Sequence, residues 1–304
     1  MFMMLKKLPL LILLLPHLLF AQSKRSRYKY ELIGGIGVAN FMGDLGGANQ
    51  IGTHLLKDFE YQATRPNVVV GARYKKNYFF SFKSTLTYAM LSGKDSWTDE
   101  KYRNNRNLSF RSPIVELNAQ VEYYILREKM SGIYKISNFK KKRNRKSTLF
   151  MFTGVGVFFY NPRAEYNGKW YSLRKLHTEG QGLPGGPKKY SNFNICIPVG
   201  LGYKYTVDRR WSVGVDLGFR KTFTDYIDDV SGEYYDNNAI KQAYGATAAA
   251  LADPNLGLIP GATKPNADGS GAKRGETKYK DAYMFLDFSV SYKFTKKRRT
   301  RSKF

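Results

Sequence analysis

Cysteine is nearly absent: Cys196 is the single thiol in 304 residues, and one thiol closes no intramolecular disulfide. Histidine is scarce too, with His17, His54 and His177 the whole supply. Acidic side chains number 24 against 50 Lys and Arg, a formal net charge of +26. Past residue 20, no stretch approaches the roughly 18 consecutive apolar residues that a membrane-spanning helix requires. These shortages exclude a disulfide-stapled scaffold and a helical membrane bundle, and they leave imidazole catalysis few side chains to work with. A positive charge of this size calls for an anionic counterpart, and nucleic acid, anionic lipid and acidic protein all qualify.

Location separates those three. The opening MFMMLKKLPLLILLLPHLLFAQ has Lys6 and Lys7, an apolar run from Leu8 to Phe20, and Ala21 before Gln22 as a cleavage point. That is the layout of a secretory signal peptide, while Pro9, Pro16 and the short length make it a poor spanning helix. Residues 1–21 are therefore expected to be removed on export, and His17 leaves with them. An exported chain does not meet nucleic acid, so lipid and protein remain as partners.

Abundance lies in Tyr and Phe, 43 together, and in 28 Gly. From 193 to 205, Phe193, Ile195, Ile197, Val199, Leu201, Tyr203 and Tyr205 alternate with Asn194, Cys196, Pro198, Gly200, Gly202 and Lys204. In a strand those two sets point to opposite faces. The same division runs through 211–220, where Trp211 and Leu217 oppose Asp216 and Arg220, and through 284–294, where Phe288 and Tyr292 oppose Asp287 and Lys293. Eight such segments are predicted, at 27–40, 65–75, 78–91, 108–126, 147–160, 191–207, 210–224 and 282–294. Their lengths suit tilted strands crossing a bilayer, where about 9–11 residues are needed, and in lipid only helices and closed barrels satisfy the backbone. The expected fold is all-β, an eight-stranded antiparallel transmembrane outer-membrane β-barrel over residues 22–294. A soluble sandwich or lipocalin-type barrel would have to leave Tyr203, Tyr205, Trp211 and Tyr292 in water, whereas aromatics near strand ends suit the girdles of a membrane barrel.

The connections fit that expectation. Tight turns follow residue 75 and span 207–210; the long segments 41–64, 92–107, 161–190 and 225–281 would be outer loops. One long inner connection, 127–146, is basic, as is the tail 295–304, and both mature termini would lie in the periplasm. Within 225–281 the Ala-rich QAYGATAAALADPNLG suggests a short surface helix.

Alternation also sorts the charges. If apolar faces look outwards, Glu31, Arg73, Lys83, Glu116, Glu122, Lys204, Asp216, Arg220, Asp287 and Lys293 enter the lumen, where five carboxylates and five cations can pair and plug it. The remaining positive charge gathers at the turn end, where 23 Lys or Arg stand against Glu128 and Asp208. Such cations suit anionic lipid headgroups, or a docking face for an acidic periplasmic protein. The candidate contact residues are Lys140, Lys141, Lys142, Arg143, Arg145 and Lys146 in the inner connection, with Lys297, Arg298 and Arg299 in the tail.

Catalysis is not expected, nor any cofactor. Membrane-embedded barrel hydrolases and acyltransferases need a His paired with a Ser or a carboxylate. His54 and His177 fall in predicted outer loops, and Thr178 and Glu179 beside His177 point away from it on an extended chain. Asp225, Asp228 and Asp229 offer oxygens of the kind calcium prefers, without the spacing or the Gly of a calcium loop, so an acidic cluster packed within the loop fits better.

Four strings carry a family resemblance: GDLGG (43–47), RNLSFRSPIVEL (106–117), TEGQG (178–182) and RKTFTDYIDDVSGEY (220–234). Together, and in this order, they resemble the PorG family, the small outer-membrane barrel of the type IX (Por) secretion system. The similarity extends over nearly all of the mature chain; residues 235–280 match no motif of it. The resemblance implies a non-enzymatic part of a protein secretion machine, associated with a periplasmic ring of PorK-like and PorN-like proteins, in systems that also support gliding motility. Two other readings stay open: a surface barrel whose outer loops bind an extracellular ligand, and a lipid-modifying barrel enzyme working through His177 or His54.

Overall fold

The computed structural model describes residues 28–45, 61–98, 100–128, 145–263, 272–278 and 280–295. The segment expected to be a signal peptide, Lys140, Lys141, Lys142 and Arg143 of the inner connection, and Lys297, Arg298 and Arg299 of the tail lie outside these described residues. So does His54.

Eight long strands follow the alternating segments, their ends within three residues of the expected ones: β1 (Tyr28–Met42), β2 (Arg65–Lys75), β3 (Phe80–Lys94), β4 (Ser109–Leu126), β5 (Ser147–Tyr160), β8 (Phe193–Thr206), β9 (Trp211–Thr222) and β10 (Ala282–Thr295). Each pairs antiparallel with two neighbours in the order β3-β2-β1-β10-β9-β8-β5-β4, and β4 returns to β3. The sheet is therefore a closed eight-stranded antiparallel barrel with no free edge, which removes the unpaired backbone that lipid would penalise. Pairing of Tyr28 with Thr295 puts the first strand's start and the last strand's end at the same end of the barrel.

Two short turns lie at that end, each built on a side-chain acceptor. Asn77 Oδ1 accepts from the amides of Phe79 and Phe80, both at 2.8 Å, between β2 and β3. Asp208 Oδ1 does the same for Arg210 and Trp211 between β8 and β9, at 2.5 and 3.0 Å. Asx acceptors of this kind mimic a backbone turn, which is why four-residue links suffice. Between β5 and β8 the ladder passes from Thr153↔Val199 to Gly156↔Cys196 without the pairs in between, because Pro198 has no N–H to donate.

The barrel is inverted relative to a water-soluble one. Ile36 is 68 % exposed and Val155 62 %, while Glu116 and Lys293 are fully buried. Aliphatic side chains such as Leu86, Leu117, Val199, Leu201, Val215 and Leu217 cover the middle of the outside. Towards the turn end this gives way to aromatic pairs, Tyr30 with Tyr74 (5.2 Å between ring centres), Phe80 with Tyr123 (5.4 Å) and Trp211 with Tyr292 (5.0 Å). Phe159 with Phe193 (5.2 Å) marks the other rim. An apolar belt between aromatic rims, wrapped round a polar lumen, is the surface of a strand barrel solvated by a bilayer.

Two parts of the sequence reading need correction. The stretch 161–190 is not wholly loop: it holds a hairpin of β6 (Arg163–Tyr166) and β7 (Lys169–Ser172), followed by α2 (Leu173–Leu176). Its turn is Asn167-Gly168, with φ of 51° and 74°, and a two-residue Asn-Gly link was the signal to read. The Ala-rich helix α4 (Ala246–Ala252), which follows α3 (Asn237–Tyr244), lies against the fold rather than free on the surface. Its Ala248, Ala249, Leu251 and Ala252 are buried. One further short helix, α1 (Lys101–Arg106), stands in the loop between β3 and β4.

Candidate functional site

Three regions concentrate polar chemistry: the lumen, the cap over the long-loop end, and the turn end. All ten charged residues that alternation assigned to the lumen are buried there. Arg73 lies at the centre of the network, donating Nε and Nη2 to Glu122 (2.7 and 2.9 Å) and Nη1 to Glu31 (2.8 Å). Lys204 reaches both oxygens of Glu31 at 3.0 Å, and Lys83 reaches Asp216 at 2.7 Å. Asp287 accepts from Asn67 at 2.9 Å, and Arg220 sits 3.5 Å from Glu116. Charges removed from water need this degree of pairing. Phe150 and Phe152 fill the remaining space, beneath Arg73 and Lys83 respectively. Gly202 is there for that reason, because a Cβ would lie 2.2 Å from the Phe150 ring. The cavity left in the middle is about 10 Å³, room for about one water, so the lumen is plugged.

Nearer the long loops the interior turns apolar, with Phe41, Phe110, Ile114, Phe158, Tyr160, Tyr283 and Phe285 packed together under Leu45, Ile227, Val230 and Leu251 from the loops. Above it, the strings that carried the family resemblance converge. The Asp44 carbonyl accepts from Arg106 Nη2 at 2.8 Å, and Arg106 also forks onto Asp95, 2.8 Å from Nε and from Nη2. Arg106 Nη1 donates to the Arg274 carbonyl (2.5 Å), and Arg274 Nη1 donates to Glu179 Oε1 (2.9 Å) and the Asp229 carbonyl (2.6 Å). Asp229 accepts from Thr178 and from the Tyr190 hydroxyl, the latter at 2.5 Å. Asp228 accepts from the amides of Leu45 and Val230, and Asp281 from the amide of Ile227. Residues from all four long loops are thus tied into one buried network.

The electrostatics of this cap are costly. Burial, then the neighbouring carboxylates, pushes Asp228 and Asp281 well above the usual carboxylate range. Burial also raises Asp44 to about 6. It raises Asp229 to about 6 against the pull of Arg274, Thr178 and Tyr190. Asp225, which accepts from Ser231 at 2.7 Å, is raised by burial as well. The DYIDD carboxylates are therefore occupied by protein donors as a loop-packing cluster. Among the described residues no group of three or more His, Cys, Asp or Glu is placed to hold a metal ion.

His177 makes a ring contact rather than a hydrogen bond to a hydroxyl or carboxylate among the described residues. It closes α2 with a left-handed φ of 52°, and its ring packs on Tyr244 at 4.6 Å, while Thr178 and Glu179 turn inwards to Asp229 and Arg274. Arg274 is the cap residue that sequence reasoning missed. It follows the exposed Lys273 in a glycine-rich stretch with no periodicity, so nothing local marks it, rather than its neighbour, as buried.

At the turn end, Arg145 and Lys146 of the contact set are described, and both are exposed, as are Lys29, Lys76, Arg209 and Arg210. Of the two acids counted against these cations, Glu128 turns inwards and Asp208 stays on the exposed turn beside Arg210. Glu128 lies in the barrel mouth, 3.0 Å from Lys293 and 3.7 Å from Lys75, and Asp208 accepts from its turn amides. Arg127 lies flat on Phe79, 3.9 Å from the ring centre, and Lys146 lies over Tyr205. The cations therefore begin where the aromatic rim ends.

Among solved structures, the chain is similar to Ail, the attachment invasion locus protein of Yersinia pestis, at 8 % identity, covering 88 % of this chain and 100 % of that one with a TM-score of 0.38. It is similar to Neisserial surface protein A at 9 % identity, over 87 % and 97 % of the two chains, with a TM-score of 0.36. The outer membrane protein OprG of Pseudomonas aeruginosa follows at 8 % identity, 90 % and 100 % coverage and a TM-score of 0.35. No curated protein matches the sequence. A family model described as "Domain of unknown function (DUF6089)" matches residues 9–247, well over half of the chain, and the protein belongs to that family.

Proposed function

We propose that this barrel is a non-enzymatic outer-membrane component of the type IX protein secretion system, which holds a periplasmic ring lipoprotein against the membrane through its basic turn-end face. The observation that carries the reading is the segregation of charge. Lumen cations are paired internally, while Arg145, Lys146, Arg209, Arg210 and Lys76 stand exposed beside the aromatic rim. A fixed array of cations on a membrane-anchored cylinder favours an acidic protein surface and speeds its docking. The family resemblance of the loop strings supplies the identity of the machine; the plugged lumen supports a scaffold rather than a conduit. In this reading the turn end faces the periplasm, and the inner connection and the tail add Lys140, Lys141, Lys142, Arg143, Lys297, Arg298 and Arg299 to the same face.

The test is a pull-down of the tagged protein from detergent-solubilised outer membranes at low and moderately high salt, read by mass spectrometry. The expected result is a periplasmic ring lipoprotein that is retained at low salt, weakens as salt rises, and is lost when six of these cations are replaced by Glu. Heat-modifiable gel migration checks that the substituted barrel still folds. Recovery of no periplasmic partner from the intact protein at either salt would overturn the proposal and favour a surface barrel whose loops bind an extracellular ligand.

A further inference from the structure

A cavity of about 300 Å³ opens among the long loops, lined by Arg174, Lys175, His177, Lys189 and Tyr190. Two chain segments form it, α2 with its terminating His177, and the run that leads into β8. Arg174 ties them together, donating from Nε to the Tyr190 carbonyl at 3.0 Å. The walls are held from behind. Tyr190 stacks between Tyr160 and Tyr226, at 6.4 and 4.5 Å, with its hydroxyl committed to Asp229, and His177 is braced on Tyr244.

What the cavity lacks is an anion. Among the described residues, no carboxylate ion-pairs with Arg174, Lys175 or Lys189, in contrast to the lumen, where every interior cation has an acidic neighbour. Burial first, then the positive charges of Lys189 and Arg174, hold the His177 imidazole below its ordinary value. We infer that this cavity is a binding site for a phosphate group. A guanidinium whose Nη donors are free of protein acceptors among the described residues, with two ammonium groups beside it, matches the several acceptor oxygens and double charge of a phosphate monoester. Lys189 is four residues before Phe193, whose exposed ring helps mark the rim of the apolar belt. At about 3.3 Å per residue that is at most roughly 13 Å, so both a lipid-borne phosphate and a soluble one come within reach. The site lies at the opposite end from the basic turn-end face, and the inference stands independently of the proposed function.

The experiment uses the full chain in phosphatidylcholine nanodiscs, with and without lipid A. Inorganic phosphate is titrated calorimetrically, and the His177 ring is followed by NMR, its signal identified by its loss in His177→Gln. The variant is Lys175→Gln with Lys189→Gln; both side chains are exposed, so the barrel and cap keep their packing. Expected is saturable, salt-sensitive phosphate binding that weakens roughly tenfold in the variant, on the scale of lost charge-assisted hydrogen bonds, together with an upward move of the His177 titration. If the natural source is lipid, discs with lipid A show the raised His177 titration before any phosphate is added. If it is soluble, the two kinds of disc behave alike until phosphate is present. Equal phosphate binding by intact and variant proteins, with no movement of His177 under either condition, would overturn the inference.

Discussion

Arg73 shows what a buried charge requires of its neighbours. Its guanidinium uses three nitrogens on Glu31 and Glu122, from β1 and β4, and is itself on β2. Replacing it with Met should leave the buried Glu122 without its bidentate partner and lower stability by about 3–5 kcal/mol, measured by urea unfolding in lipid. Adding Glu122→Gln, which leaves Lys204 on Glu31 and Lys83 on Asp216, should recover most of that loss; an Arg73→Met variant as stable as the original would mean the network is not what holds the lumen closed. Asp44 makes a prediction of opposite sign. Its folded value of about 6 lies above its ordinary 3.8, so the native cap binds more protons than the unfolded chain between these values. The stability it contributes is complete below about pH 4 and is lost as pH rises through about 6. Asp44→Asn keeps an oxygen for the Glu276 amide but cannot ionise. Hydrogen exchange of residues 225–234, corrected for intrinsic rates, should therefore be slower in the variant at about pH 7.5, and the two proteins should converge near pH 4. Faster exchange in the variant at the higher pH would show that the Asp44 charge stabilises the cap.

At the scale of elements, the long strands were legible because one physical rule governs each of them. Side chains alternate with a period of two, and in lipid the apolar set must face outwards, so Leu217 and Asp216 are assigned to opposite sides by adjacency alone. Leu217 pairs with Leu201 and Leu286 near mid-strand and is 42 % exposed to the outside. Leu217→Arg should lower stability by about 2–4 kcal/mol in a bilayer assay, whereas Lys221→Arg near the loop end of the same strand should change it by less than about 1 kcal/mol. Equal effects at the two positions would contradict a membrane midplane at Leu217. Shorter elements were less legible for a matching reason. Four-residue strands such as RAEY and KWYS alternate too briefly to register, and only the Asn-Gly between them gives them away. Helix α4 looked like a surface helix because Ala carries no directional signal; its burial comes from the loops it meets.

At the scale of the whole molecule, the barrel is closed twice, by paired charges and Phe150 and Phe152 in the lumen and by the aromatic core beneath the loop cap. Purified protein in planar bilayers should therefore show no porin-like conductance at moderate voltage. Steady porin-sized steps would refute the plugged lumen. The cap makes the loop end a single built surface, and the turn end carries exposed cations, so the molecule presents two chemically different faces on either side of its apolar belt.

The sequence by itself determined the number of barrel strands, the inside and outside of each of these, and the ten charges that alternation sends into the lumen, because each follows from a local period and from the cost of placing polar groups in lipid. It also marked the loop strings that meet in the cap, without showing that they meet. Only the tertiary structure decided the partners. Arg73 finds Glu122, Lys204 finds Glu31, and Arg274 finds Glu179 through the stagger of strands and the convergence of loops, across separations of 49, 173 and 95 residues. It also decided that Glu128 turns inwards to Lys293, leaving the turn-end cations without it, and that Arg174 and Lys189 share one cavity. Alternation is a property of one strand, whereas a pair of charges is a property of a closed barrel, and closure is where the two kinds of information part.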